Sequence, residues 1–123
     1  MDTLTEAGLV RIAEGRSAFN RGEYFQAHEL WEEVWKELGG ENRTLRILVQ
    51  GLIQIAAGLH HLQRRRPGPG AGLLRKGMDK ISRSAFAPPL DLRVDALARQ
   101  VARLLAELQA PGAKVPEPRF FEL

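Results

Sequence analysis

The sequence contains no cysteine. This absence excludes a disulfide framework, a thiol nucleophile, a thiolate zinc site and a redox pair, so any metal ion would be held by histidine, carboxylate or amide groups. The sequence also lacks an uninterrupted apolar run of about 18 residues, the length that crosses a membrane. Met1–Glu6 has no basic segment followed by an apolar one, which is the pattern of a secretory signal. We therefore expect a cytoplasmic protein with no membrane partner.

The composition is that of an ordinary globular domain. The 123 residues are 44% hydrophobic and 27% charged, with a net charge of +3. This length suits a single core, so residues 1–123 are expected to fold as one domain. A tail at 111–123 should dock on that domain, because the adjacent rings of Phe120 and Phe121 would be costly to expose to water.

Apolar residues recur at helical spacing almost throughout, and no segment keeps the two-residue alternation of a half-buried strand for more than a few residues. The chain is therefore predicted to be all-α, a single compact bundle of about five helices. The third helix is apolar nearly all the way round, so it is predicted to be central and buried.

The expected helix boundaries follow from capping residues and from proline and glycine. The first helix is predicted to bury Leu9, Ile12, Ala13 and Phe19, and Pro88–Pro89 should precede the fifth. The predicted helices are Leu4–Arg21 with a capping box of Thr3 and Glu6, Glu23–Leu38, Thr44–Leu62 capped by Asn42 or Thr44, Ala71–Ser84, and a fifth helix capped by Asp91.

The second predicted helix carries two polar residues on its apolar side. At about 100° per residue, His28 and Glu32 continue the apolar arc and lie one turn apart. The carboxylate could therefore accept a hydrogen bond from the imidazole or bind the same ion. Glu29 points away from this arc. Tyr24, Trp31 and Trp35 could wall a pocket here, although the two tryptophans are favoured as core anchors because of the area that they bury.

The third predicted helix has a matching polar stripe. Gln50, Gln54 and His61 fall within about 40° of one another, whereas His60 faces a different side. Buried amide groups need hydrogen-bond partners. If the second and third helices pack antiparallel, as a short connection favours, this stripe meets His28 and Glu32 in one pocket.

Three interpretations of these residues stay open: a hydrogen-bonded structural network, which is favoured, a metal or small-ligand site, and acid/base catalysis. In the metal interpretation His28 and His61 bind one divalent cation, Glu32 is the third ligand or orients a histidine, and Gln50 and Gln54 bind water or substrate. Metal-assisted hydrolysis would be the reaction. The rival is a non-enzymatic helical module that binds a protein or RNA partner.

The only dense basic run is Arg64–Arg66. It lies at a predicted helix C-terminus, where cations complement the helix dipole, and no aromatic residue is interleaved with it. A solvated face is therefore favoured over nucleic-acid binding. A homodimer through spare apolar surface stays open.

The pattern Phe19-Asn20-x-Gly22-x-Tyr24-Phe25-x-Ala27-His28-Glu29-x-x-Glu32-x-x-Trp35, followed by Gln50-Gly51-Leu52-Ile53-Gln54-x-Ala56-Ala57, His61 and Gly70-Ala71, resembles a known family. It is the small bacterial and plastid family catalogued as domain of unknown function three hundred and nine, and the resemblance spans Phe19 to Ile81. It implies an all-helical fold of four or five helices and no established activity. The polar positions that it implies are His28, Glu29, Glu32, Gln50, Gln54 and His61, with Tyr24 and Trp35 beside them.

This sequence departs from that family pattern at two places. His60 stands where an aromatic residue is more usual, and Arg66–Pro69 replaces a short Gly-Asn turn. The first departure makes His60 a doubtful site residue.

Overall fold

The computed structural model describes residues 4–40, 43–84, 92–110, 112 and 123. Within these ranges the chain forms five helices and no strand, so the all-α prediction is confirmed. The helices are α1 (Glu6–Asn20), α2 (Tyr24–Glu37), α3 (Arg43–Gln63), α4 (Pro67–Arg83) and α5 (Val94–Gln109).

The first helix begins later than predicted. The Thr5 hydroxyl accepts a hydrogen bond from the Gly8 amide at 3.0 Å, so Thr5 is the N-cap and the assignment of that role to Thr3, which lies outside the described residues, was wrong. The predicted inner stripe is correct only in part, as Ile12 and Phe19 are buried while Leu9 is 48% exposed and Ala13 is also exposed. The inward face instead includes small residues, namely Gly8, Gly15 and Ala18.

The central position of α3 is confirmed, since α3 packs extensively against both α4 and α2. It is also the one helix among the described residues that is long and apolar enough to cross a membrane by length and composition. However, 56% of its most apolar window is buried inside the bundle, as in the core helix of a soluble protein. It begins at Arg43, so Thr44 lies inside the helix, and Asn42 falls outside the described residues.

Two reciprocal glycine contacts bring α3 and α4 together. A Cβ at Gly51 would lie 3.0 Å from the Gly77 carbonyl oxygen, and one at Gly77 would lie 2.8 Å from the Gly51 oxygen. Gly58 and Gly70 repeat this relationship at 2.9 and 3.0 Å. The two backbones are therefore in contact at two points, which lie about two helical turns apart. A side chain at any of these four glycines would push the helices apart.

The fourth helix begins at Pro67, four residues before the predicted Ala71, so the prediction of a long break was wrong. Pro67 and Pro69 are compatible with the first helical turn, because amide hydrogens there have no partner within the helix. The connection from α3 is only Arg64–Arg66, in which Arg65 has a φ of 58°.

The fifth helix packs on α4 and buries Leu97, Val101 and Leu104. Its N-cap is Arg93, so the predicted cap at Asp91 was wrong. Asp91, Pro88–Pro89, Phe120 and Phe121 lie outside the described residues. Leu123 is 5% exposed and belongs to the hydrophobic core.

Candidate functional site

An open cavity of about 260 Å³ lies where α2, α3 and α4 meet. It contains the two polar pairs whose convergence the helical spacing predicts, one from α2 and one from α3. The eight lining residues are His28, Glu32, Trp35, Gln50, Ile53, Gln54, Ala57 and Leu73.

Helical geometry explains which residues reach this cavity. His28, Glu32 and Trp35 are spaced by four and three residues, so they share one face of α2. The α3 residues are spaced by three, one and three, which again selects one face. Leu73 closes the cavity from α4. The lining is therefore polar on α2 and α3, and apolar where α4 meets them.

His28 and Glu32 are adjacent within the cavity. Nε2 of the imidazole lies 3.5 Å from Oε2 of the carboxylate, which is longer than an ordinary hydrogen bond. The other carboxylate oxygen lies 4.0 Å from Nζ of Lys36. The His28 side chain is 25% exposed and that of Glu32 is 41% exposed, so both are accessible from solvent.

Three cavity-lining residues each hold a buried polar atom that has no hydrogen-bond partner. These atoms are Nδ1 of His28, Nε1 of Trp35 and Oε1 of Gln54. Only two other such atoms occur among the described residues, in Asn20 and His61. An unpaired buried polar group costs about 1–3 kcal/mol, so three at one cavity are a substantial local penalty.

Arg46 holds Trp35 in place, a role that sequence reasoning missed. Its guanidinium carbon lies 4.2 Å from the centroid of the Trp35 ring, and Nη1 donates to the carbonyl oxygens of Trp35, at 3.3 Å, and of Leu38. These contacts combine a cation–π interaction with hydrogen bonds to the last carbonyls of α2. The sequence contains no signal for this contact, because no local pattern indicates which arginine reaches the end of another helix.

Two of the aromatic residues predicted to wall the cavity lie in the core instead. Tyr24 is 1% exposed and packs edge-on against Phe19 at 5.0 Å between ring centroids, while Trp31 is fully buried. Burial raises the pKa of the Tyr24 phenol well above its ordinary value. Of the three predicted walls, only Trp35 lines the cavity. Glu29, implied by the family resemblance, is exposed and does not line it either.

His61 does not line the cavity. It lies two turns beyond Gln54 on α3, and its ring centroid is 6.4 Å from that of His60. Among residues 4–40, 43–84 and 92–110, no three histidine, aspartate or glutamate side chains are grouped so that they could hold a metal ion. The predicted set of His28, Glu32 and His61 is therefore not assembled, since residues on one helix face can still be too far apart along its axis.

His60 lies next to the site, although the helical wheel placed it on a different side. Its ring stacks on Phe25 with centroids 5.2 Å apart, and Phe25 also stacks on His28 at 5.7 Å. Burial lowers the pKa of His60, and the charges of Arg64, His61, His28 and Arg66 lower it further. The sequence could not indicate this cluster, because Phe25 and His60 are brought together only by the packing of α2 on α3.

Comparisons with known proteins identify a family but add no activity. The model of a family described as "Domain of unknown function (DUF309)" matches residues 12–73, a segment that includes every cavity-lining residue. A protein of Aquifex aeolicus (strain VF5) described as "Uncharacterized protein" is 33% identical over 73 residues, which are 59% of this chain and 21% of the relative. The chain thus spans about a fifth of the length of that relative. No solved structure matches significantly.

Proposed function

The chain belongs to the DUF309 family, and we propose that it binds a small organic molecule in the cavity between α2, α3 and α4. The observation that carries this proposal is the set of three unpaired polar atoms on cavity-lining residues. A purely structural network would be expected to pair these atoms with one another, whereas a ligand that enters the cavity and displaces the side chains covering them would pair them instead.

The donors and acceptors indicate the chemistry of the ligand. The Trp35 indole is a donor only, and Oε1 of Gln54 is an acceptor only. When the neutral imidazole of His28 carries its proton on Nε2, which faces Glu32, its Nδ1 is a second acceptor. The complement is one acceptor and two donors, which a primary amide or an amino alcohol provides.

The size of the cavity and the charge of its lining narrow the class of ligand further. A cavity of about 260 Å³ is slightly below the usual range for drug-sized ligands, which favours a compact molecule. Glu32 is the only carboxylate or permanently charged side chain in the lining. A neutral or cationic ligand is therefore favoured over an anion.

Ligand binding fits these residues better than metal-assisted hydrolysis. A divalent ion in the cavity would find only His28 and Glu32 as charged or imidazole ligands. Catalytic zinc sites use three protein ligands and keep the fourth position for water or substrate. The donor set is thus one ligand short of that arrangement.

The proposal can be tested by ligand-observed NMR with a fragment library of primary amides, amino alcohols and matched hydrocarbons. We expect amide or amino alcohol fragments to bind the wild type and to lose at least about tenfold in affinity with Gln54→Leu or Trp35→Phe. Gln109→Leu, at an exposed position of α5, is the matched control and should bind normally. Binding that survives both cavity substitutions, or a complete lack of bound fragments, would contradict the proposal.

A further inference from the structure

The aromatic stack of Phe25, His28 and His60 reaches the surface outside the cavity. Phe25 is 50% exposed, and neither Phe25 nor His60 lines the cavity. The ring planes of Phe25 and His60 differ by 27° and those of Phe25 and His28 by 13°. Nearly parallel rings at a surface form an array that another flat ring can extend.

The basic run Arg64–Arg66 folds back on the end of α3 beside this stack. The amide of Arg64 donates to the carbonyl oxygen of His60 at 3.2 Å, and that of Arg66 donates to His61 at 2.9 Å. All three arginines are exposed, and none forms an ion pair with a described residue. Their charges are therefore available to an anionic partner.

Tertiary packing holds the aromatic and basic parts together. Nε2 of Gln63 donates to the carbonyl oxygen of Gly22 at 2.8 Å, which ties the end of α3 to the turn before α2. Phe25 follows directly in the first turn of α2. Glu23, at the N-cap position of α2, is paired with Arg21 at 3.0 Å.

Arg65 occupies a backbone conformation that favours glycine. Its φ is 58°, at the position after a helix where glycine is the usual residue. An arginine here bears a conformational cost that glycine would avoid. Residues held in such conformations are concentrated at functional sites.

We propose that the surface formed by Phe25, His60 and Arg64–Arg66 binds single-stranded nucleic acid, with a base extending the aromatic stack and the backbone phosphates contacting the arginines. Aromatic side chains beside a basic groove are the recurring elements of sequence-tolerant single-strand binding. The absence of aromatic residues around the basic run in the sequence argued against this function. In the structure an aromatic residue from another helix, Phe25 of α2, stacks on His60 near the end of α3.

A membrane surface fits these residues less well. Insertion into lipid needs several apolar side chains on one face, whereas the other exposed large hydrophobic residues of the described part of the chain, Leu9 and Val10, lie on α1. A single half-exposed ring that already stacks on two imidazoles does not provide such an apolar face. Because the surface is small, we expect weak, strongly salt-dependent binding.

The test is fluorescence anisotropy of labelled single-stranded RNA and DNA of about 20 nucleotides, titrated with the full chain at about 50 mM salt and above. We expect Arg64→Gln with Arg66→Gln to weaken binding by about tenfold or more and to reduce the salt slope by about 1.4, the value for two lost phosphate contacts on a single strand. Phe25→Leu should weaken binding by at least about fivefold.

Matched controls separate this surface from general charge. Arg75→Gln with Arg103→Gln removes the same charge from exposed arginines on α4 and α5 and should change the affinity less than twofold. Circular dichroism confirms that each variant is folded. The proposal is overturned if the wild type binds neither oligonucleotide, if the control pair weakens binding as much as the test pair, or if Phe25→Leu has no effect. Equal binding to vesicles of anionic phospholipid that also depends on Phe25 would assign the surface to membranes and overturn it too.

Discussion

The indole of Trp31 lies directly against Gly15, in space that any side chain at position 15 would occupy. A Cβ built on Gly15 would overlap the indole ring, with Cδ1 only 2.6 Å away. Nε1 of Trp31 donates to the carbonyl oxygen of Ile12 at 3.2 Å, which fixes the ring over the glycine. This contact sets the distance between α1 and α2, and it explains why position 15 on the inward face of α1 is a glycine.

Gly15→Ala should therefore destabilise the protein, although alanine is the better helix former. Overpacking a core costs about 1–3 kcal/mol, which exceeds the gain of about 1 kcal/mol in helix propensity. Gly72→Ala is the control, since a Cβ there meets nothing within 4 Å and the propensity gain should appear alone. Urea unfolding measures both. A Gly15→Ala protein as stable as the wild type would show that Trp31 can move at little cost.

The same substitution at two glutamines should have opposite effects. Gln54→Leu removes an unpaired buried amide oxygen, so the free energy of unfolding should rise by about 1 kcal/mol. Gln63→Leu removes the hydrogen bond to the Gly22 carbonyl oxygen, so the free energy of unfolding should fall by about 0.5–1.5 kcal/mol. Chemical denaturation of the ligand-free proteins tests both signs. If Gln54→Leu destabilises instead, Gln54 has a structural partner and the binding proposal loses its support.

The lowered pKa of His60 makes stability depend on pH. The folded protein holds this proton less tightly than the unfolded chain, whose histidine pKa is about 6.5. As the pH falls through that value, the unfolded chain takes up the proton first and the free energy of unfolding decreases. His60→Phe keeps a stacking ring without a titrating group, so its stability should fall less between about pH 7.5 and pH 5.5.

Denaturant unfolding of wild type and His60→Phe at both pH values tests this expectation. High salt should screen the charges of Arg64 and Arg66 but leave the effect of burial. An unchanged pH dependence in the variant would mean that His60 is not the responsible group.

Much of the cavity could be predicted because its residues follow helical spacing. His28 and Glu32 lie one turn apart, as do Gln50 and Gln54, so each pair must share a face wherever its helix packs. A short connection between the two helices then makes an antiparallel arrangement favourable. The meeting of the two pairs could therefore be predicted without knowing any tertiary contact.

The wrong predictions about the cavity lining have a common cause. A helical wheel gives the direction of a side chain around its helix, but neither its position along the axis nor the residues that pack against it. His61 shares the angle of Gln54 yet lies two turns away, beyond the cavity. Tyr24 and Trp31 share the apolar arc with Trp35, but α1 covers the first two. His60 points away from the glutamines and still reaches the site region, because Phe25 extends to it from α2.

The sequence by itself therefore determined the helices, the central position of α3 and the face on which each polar residue lies, because these properties depend on local spacing and on composition. Only the tertiary structure decided which faces meet. Direct backbone contact at Gly51–Gly77 and Gly58–Gly70 sets the approach of α4 to α3, and the packing of α2 on α3 places Phe25 beside a basic run that begins 39 residues later in the chain. Such contacts join residues remote in sequence, so no local pattern can encode them.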